Sequence, residues 1–110
     1  MLPKDLTPQA IEKLKQTALA NPGGSVPANF DPNNFVFHSN SGLTLMLTYH
    51  KEQNGSYWAM SMSYSRRPPS DNEARTVLSA FFGKAGDEAG KVIKPEGSNP
   101  NMIIYRVEAT

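Results

Sequence analysis

Residues 43–65 decide the fold, and they read LTLMLTYHKEQNGSYWAMSMSYS. Two segments that alternate apolar and polar residues flank Asn54-Gly55, a pair typical of type I′ hairpin turns because both central residues of that turn need a positive φ. Pairing the segments about this turn places Leu47 opposite Met62. The apolar residues of both strands then share one face, whereas a slip of one residue would separate them. The other predicted pairs are Tyr49 with Met60, Leu45 with Tyr64, Thr48 with Ser61, Met46 with Ser63, and Thr44 with Ser65.

Helices are predicted on both sides of the hairpin in the sequence. The first begins at a Thr7 cap followed by Pro8, whose missing N–H costs nothing at the first helical position, and it stops at Asn21. The second begins with Ser70 and Glu73, which stand in the S-x-x-E arrangement of a capping box. The apolar stripes of the two helices consist of Ile11, Leu14, Ala18 and Leu19, and of Ala74, Val77, Leu78, Phe81 and Phe82.

Three shorter strands complete the predicted order α-β-β-β-α-β-β. They cover residues 35–38, 91–94 and 102–108. This order predicts an α+β fold in a single domain over residues 1–110, with an antiparallel sheet of four to five strands. We expect both helices to pack on the sheet face that carries Leu45, Leu47, Met60 and Met62.

The composition excludes several classes of function. The 110 residues include no cysteine, which excludes a disulfide framework, a thiolate zinc site and a cysteine nucleophile. Eleven basic and ten acidic side chains give a net charge of +1, too little for an electrostatic footprint on nucleic acid or anionic lipid. No apolar run is long enough to span a membrane, and the first residues lack the apolar core of a secretory signal. We therefore expect a cytoplasmic protein without cofactor or metal, in the host cytoplasm if a phage encodes it.

Catalytic chemistry has little support in the sequence. The two histidines, His38 and His50, have no metal-ligand spacing, and the carboxylates do not cluster with them. A pairing of His50 with Ser61 is conceivable, but nucleophilic serines sit on sharp turns or helix starts rather than within strands. The sequence thus does not predict an enzyme, although it leaves that class open.

Candidate binding residues are those that neither the core nor the turns require. They are Ser61, Ser63, Ser65, Arg66 and Arg67. Serine is a poor strand former, and two guanidinium groups beside a Pro-Pro corner could hold a carboxylate or a phosphate. A second interpretation stays open, in which the hydroxyl face is merely solvated and the arginines form local salt bridges with Asp71 or Glu73.

Part of the chain resembles a family of small, uncharacterised bacterial and phage proteins. The matching pattern is Trp58-x-x-Ser61-x-Ser63, Arg67-x-Pro69-Ser70-x-x-Glu73 and Ala80-Phe81-Phe82-Gly83. This resemblance covers about a quarter of the chain and implies one continuous unit of strand, Arg-Pro corner and capped helix. It implies no activity, because none is associated with the family.

Two functions follow as expectations. The first is a small non-enzymatic protein-interaction module, of phage or mobile-element origin, which binds another protein or itself through the exposed sheet face. The second is nucleic-acid binding, because helix, three strands and helix is the element order of double-stranded-RNA-binding domains, and Arg66, Arg67 and Arg75 lie near the last helix. Asp71 and Glu73 at that same helix start oppose the second expectation.

Overall fold

The computed structural model describes residues 2–24, 31 and 35–109. The predicted α+β class is confirmed, with one additional helical turn. The elements are α1 (Pro8–Ala20), a 3-10 turn (Pro22–Gly24), β1 (Val36–His38), β2 (Thr44–Glu52), β3 (Gly55–Ser63), α2 (Asp71–Phe82), α3 (Lys84–Asp87), β4 (Gly90–Lys91) and β5 (Met102–Glu108). The sequence pattern predicts all of them except the 3-10 turn and α3.

All five strands form one antiparallel sheet in the order β1-β2-β3-β5-β4. The last strand of the sequence, β5, therefore lies between β3 and β4. The strand predicted at residues 91–94 is shorter and begins earlier, at Gly90. One further backbone bond, from Val92 N–H to the Ile104 carbonyl at 2.9 Å, prolongs its contact with β5.

The register of the central hairpin differs from the predicted one by two residues. Glu52 pairs with Gly55, so Gln53 and Asn54 are the two loop residues. No described residue other than glycine has a positive φ, whereas Gly55 has a φ of 139°. A type I′ turn over Asn54-Gly55 is therefore wrong, because Asn54 lies outside the left-handed region. The resulting pairs are Thr44 with Ser63, Leu45 with Met62, Met46 with Ser61, Leu47 with Met60, Thr48 with Ala59, and Tyr49 with Trp58.

The predicted apolar face is confirmed as the face that carries the core. Side chains alternate across a strand, so a shift of two residues moves no side chain to the other face. The core residues of the two central strands are Leu45, Leu47, Met60 and Met62, each at most 3% exposed, and Trp58, which is 9% exposed. Both long helices pack against the same face, through Leu14, Ala18, Ala74, Val77, Leu78 and Phe81.

Both predicted helix starts are confirmed. The Thr7 hydroxyl accepts a hydrogen bond from the Ala10 N–H at 3.2 Å. At α2 the Ser70 hydroxyl accepts from the Glu73 N–H at 3.2 Å, and the Glu73 carboxylate accepts from the Ser70 N–H at 2.8 Å. These bonds satisfy N–H groups that a helix leaves without intrahelical partners.

The short helix α3 packs directly on the backbone of α2. A Cβ atom added at Gly86 would lie 2.1 Å from the Leu78 carbonyl oxygen, so only glycine fits at this position. Arg75 holds the following segment, because one guanidinium nitrogen lies 2.8 Å from the Gly86 carbonyl and 3.1 Å from the Ala89 carbonyl. This contact explains an arginine that the sequence left open to a binding role.

Candidate interaction surface

We use the name open face for the sheet face opposite the helices, on which no described helix packs. Its residues come from alternate positions of the five strands, as the two-residue period of a strand requires. They are Val36 and His38; Thr44, Met46, Thr48, His50 and Glu52; Gly55, Tyr57, Ala59, Ser61 and Ser63; Gly90; and Met102, Ile104, Arg106 and Glu108.

The centre of the open face carries no charged side chain. The register places Val36, Met46, Ser61 and Ile104 side by side across β1, β2, β3 and β5. Met46 is 42% exposed, and the other three are half-buried. The adjacent row contains His38, Thr44, Ser63 and Met102. Apolar side chains of three strands therefore remain in partial contact with solvent at the middle of the sheet.

Small side chains on β3 form what we call the β3 furrow, which consists of Ala59, Ser61 and Ser63. Larger side chains flank it, with Met46 on β2 and Ile104 on β5. The hydroxyls of Ser61 and Ser63 make no hydrogen bond with any described side chain or backbone group. The β3 furrow therefore offers a partner only a methyl group and two hydroxyls without a described hydrogen-bond partner.

The polar end of the open face lies towards the hairpin turn, where three planar groups stack across three strands. The rings of His50 and Tyr57 are 4.8 Å apart and tilted by 13°, and the Arg106 guanidinium lies 3.9 Å from the Tyr57 ring centre on the β5 side. Arg106 also pairs with Glu108 at 3.1 Å and with Glu52 at 3.5 Å. Both faces of the Tyr57 ring are therefore covered. The alternating pattern placed His50 on the polar face, but the sequence carried no signal that Arg106 would join it.

A hydroxyl and an imidazole lie close together at this end of the open face. The Thr48 hydroxyl lies 2.9 Å from Nε2 of His50, a distance suited to a nucleophile and a base. No described side chain hydrogen-bonds Nδ1 of His50, so the third group of a nucleophile, base and acid arrangement is not present among the described residues. Among the described residues no cluster of histidine, aspartate and glutamate could hold a metal ion.

Arg67 lies on the helix side of the sheet and away from the open face. Its two terminal nitrogens donate to the two carboxylate oxygens of Glu73 at 2.7 and 2.9 Å. Its guanidinium also lies 4.3 Å from the ring centre of Tyr64, a ring that packs against the core. Hydrogen bonds from Arg67, and then from the Ser70 N–H, lower the pKa of Glu73 to about 2. Arg67 thus forms the local salt bridge with Glu73 that the second interpretation of the sequence expected.

The other predicted binding residues are dispersed. Ser61 and Ser63 lie on the open face, but Ser65 follows the end of β3 and its carbonyl accepts a hydrogen bond from the Asn101 amide at 3.3 Å. Arg66 is exposed and makes no hydrogen bond or ion pair with a described residue. The structure therefore brings Ser61 and Ser63 together but separates them from Arg67. That these five candidate residues bind a partner stays a prediction.

Two basic groups near the start of α2 are paired with acidic ones, whereas Arg66 is not paired with a described residue. The Lys91 ammonium lies 3.0 Å from the Asp71 carboxylate, and Arg67 is held by Glu73. These pairs reduce the positive potential that the nucleic-acid expectation placed at this end of the helix.

Comparisons with known proteins add nothing to this geometry, because no protein-family model, curated protein or solved structure matches the chain. The resemblance stated for residues 58–83 stays an expectation. Within the described part of the chain, none of the helices has the length and apolar character needed to cross a membrane.

Proposed function

We propose that this chain is a small non-enzymatic protein-interaction module and that the open face is its binding surface. The observation that carries the proposal is the uncharged central row of Val36, Met46, Ser61 and Ile104, which no described helix covers. Removal of apolar area from water contributes about 25 cal/mol per Å². A protein surface laid on this row would therefore be held mainly by apolar contact.

The residue types of the row suit a protein partner. Met46 has an unbranched, polarizable side chain that adapts to irregular surfaces, as methionines at other protein-binding surfaces do. The hydroxyls of Ser61 and Ser63 can donate or accept, so they tolerate either kind of polar group on the partner.

A nucleic-acid partner has weaker support from the same contacts. Single-stranded nucleic acids bind through bases that stack on exposed aromatic faces, and His50 and Arg106 already cover both faces of Tyr57. Unpaired cations bind phosphates best, and Arg67 and Lys91 are paired with carboxylates, which leaves Arg66 as an unpaired cation at this place among the described residues. Binding to RNA or DNA at low salt would favour this alternative.

Cytoplasmic location belongs to the same proposal. A chain without cysteine needs no oxidising compartment, which is compatible with the cytoplasm. Fractionation of cells that produce the tagged chain tests this part.

Matched variants test the proposed surface. Met46 on the open face and Leu19 on α1 are 42% and 44% exposed, so Met46→Glu and Leu19→Glu introduce the same charge at similar exposure on opposite sides of the molecule. Each immobilised full-length chain is used to capture proteins from lysate. We expect a partner retained by the wild type and by Leu19→Glu but lost by Met46→Glu. A partner retained equally by all three chains would contradict the proposal.

A further inference from the structure

We infer that the open face binds a second copy of this chain, in a two-fold symmetric dimer in which the two sheets lie face to face. This inference rests on the proposed function, and it names the partner. The argument uses the registered pairs of the open face, the position of its charges, its area and the character of the sheet edges.

The residue pairs between β2 and β3 can meet the condition that a two-fold symmetric interface sets. In such an interface, if one residue of the first copy contacts a second residue of the other copy, then the second residue of the first copy contacts the first residue of the other. Met46 lies directly opposite Ser61 in the sheet. A two-fold axis parallel to the strands and midway between β2 and β3 would place Met46 of each copy over Ser61 of the other.

Neighbouring pairs agree with the same axis. The rotation brings Thr48 over Ala59 and Thr44 over Ser63, so in these pairs, as at Met46 and Ser61, a larger β2 side chain meets a smaller β3 side chain. At the hairpin end the rotation brings His50 over Tyr57, where both side chains are large. The side chains of β2 would thus fill the β3 furrow of the other copy. Sheets that pack face to face interdigitate in this way, with their strands about 30° apart.

The charges of the open face do not oppose this arrangement. The central rows are uncharged, and the cation at the hairpin end, Arg106, is already paired with Glu52 and Glu108 within its own chain. Covering the face leaves no isolated charge in the interface, which is the arrangement that would weaken a dimer most.

The area of the face fits a weak, reversible dimer. The strands of the sheet differ in length, from nine residues in β2 and β3 to three in β1 and two in β4, and each residue covers about 3.3 Å along its strand and about 4.8 Å across the sheet. The face therefore offers on the order of 450–500 Å² per copy, below the roughly 600 Å² per partner of stable specific interfaces. We expect dimerisation to depend on concentration.

The sheet edge at β4 offers a poorer route to self-association. There β4 has only two residues, one of which is Lys91, and Lys94 and Pro95 follow shortly after it. At the other edge β1 has three residues, and it pairs only with the first three residues of β2. Short edge strands with lysine and proline are typical features that prevent pairing with another chain.

Sedimentation of the full-length chain over a range of concentrations tests the inference. We expect the mass to rise from 12.1 kDa towards twice that value for the wild type and for Leu19→Glu. We expect Met46→Glu and Ser61→Lys each to raise the dissociation constant by about 30-fold or more, as a residue at an interface centre does. Circular dichroism establishes that both variants remain folded.

A mixture of the two variants tests the proposed axis. Because residue 46 of one copy meets residue 61 of the other, an equimolar mixture of Met46→Glu and Ser61→Lys is expected to dimerise more tightly than either variant alone. A wild type that remains at 12.1 kDa, a dimer insensitive to both variants, or a mixture no tighter than its components would each overturn the inference. A monomeric wild type that still captures a protein in a Met46-dependent way would overturn only the dimer and leave the proposed function intact.

Discussion

Arg67 and Glu73 form a two-point ion pair, with nitrogen–oxygen distances of 2.7 and 2.9 Å, across the corner that joins β3 to α2. The same carboxylate accepts the Ser70 N–H of the helix cap. One side chain thus links the cap of α2 to the segment that leaves β3. The corner is held by side chains as well as by its prolines.

Replacement of Arg67 tests the role of this pair in stability. Arg67→Ala should lower the melting temperature, because it removes both hydrogen bonds to Glu73 and the contact with the Tyr64 ring. Arg66→Ala is the matched control, since Arg66 makes no hydrogen bond or ion pair with a described residue. Thermal unfolding followed by circular dichroism distinguishes them. Equal melting temperatures for the two variants would show that the pair does not brace the corner.

The same carboxylate predicts a dependence of stability on pH. Arg67 and the Ser70 N–H hold the pKa of Glu73 at about 2 in the folded chain, against an ordinary value of 4.5. A lowered folded-state pKa contributes stability that is present above pH 4.5 and is lost as the pH falls towards about 2. Urea unfolding of the wild type and of Glu73→Gln measures this contribution.

The difference in free energy of unfolding between the wild type and Glu73→Gln should shrink as the pH falls from 4.5 to about 2. The comparison with the variant is needed because hydrogen bonds from the Asn40 N–H and the Ser39 hydroxyl lower the pKa of Asp5 as well. Asp5 therefore makes both chains less stable in acid. A difference that stays constant down to a pH of about 2 would contradict the role assigned to Glu73.

Gly86 should be among the least replaceable residues of the chain. A Cβ at this position would meet the Leu78 carbonyl oxygen at 2.1 Å, and backbone atoms of α2 cannot move aside without breaking the helix. Gly86→Ala should cost about 1–3 kcal/mol or more. Gly90→Ala is the control, because nothing lies within 4 Å of its added Cβ. Denaturant unfolding would contradict the close packing if the two variants were equally stable.

Phe81 should anchor α2 more strongly than the helix cap does. Its side chain is 3% exposed within the core, so Phe81→Ala should cost about 3–5 kcal/mol. Ser70→Ala removes only the capping hydrogen bond and should cost about 0.5–2 kcal/mol. Urea denaturation compares the two, and equal losses would indicate that α2 is held by its start rather than by its apolar stripe.

The difference between the predicted and the observed register of the hairpin shows what the alternation of apolar and polar residues can determine. Apolar residues at every second position specify which side of a strand is buried, and this part of the prediction is confirmed for Leu45 and Met62. The pattern is unchanged by a shift of two residues, so it cannot choose between the two registers. That choice depended on the turn, where Gly55 alone takes the positive φ.

The candidate site was predictable only in part, because some of its residues are distant in sequence and meet only in the folded sheet. Local spacing placed Ser61 and Ser63 on the polar face of the hairpin. The partners of that face in β5, Ile104 and Arg106, come from a distant part of the sequence and pair with β3 only in the folded sheet. Arg67 lies next to the serines in sequence, but Glu73 draws it to the other side of the sheet.

Because β5 lies between β3 and β4 but follows both in the sequence, the sheet cannot be completed before β5 has been synthesised. Until β5 has left the ribosome, the inner edge of β3 has no strand beside it and Trp58 lacks its neighbour Val107. The hairpin and both long helices depend on contacts that are local in sequence, but the sheet cannot close without β5. A chain stalled at that stage would expose an unpaired strand edge, which makes it a natural substrate for chaperones and proteases.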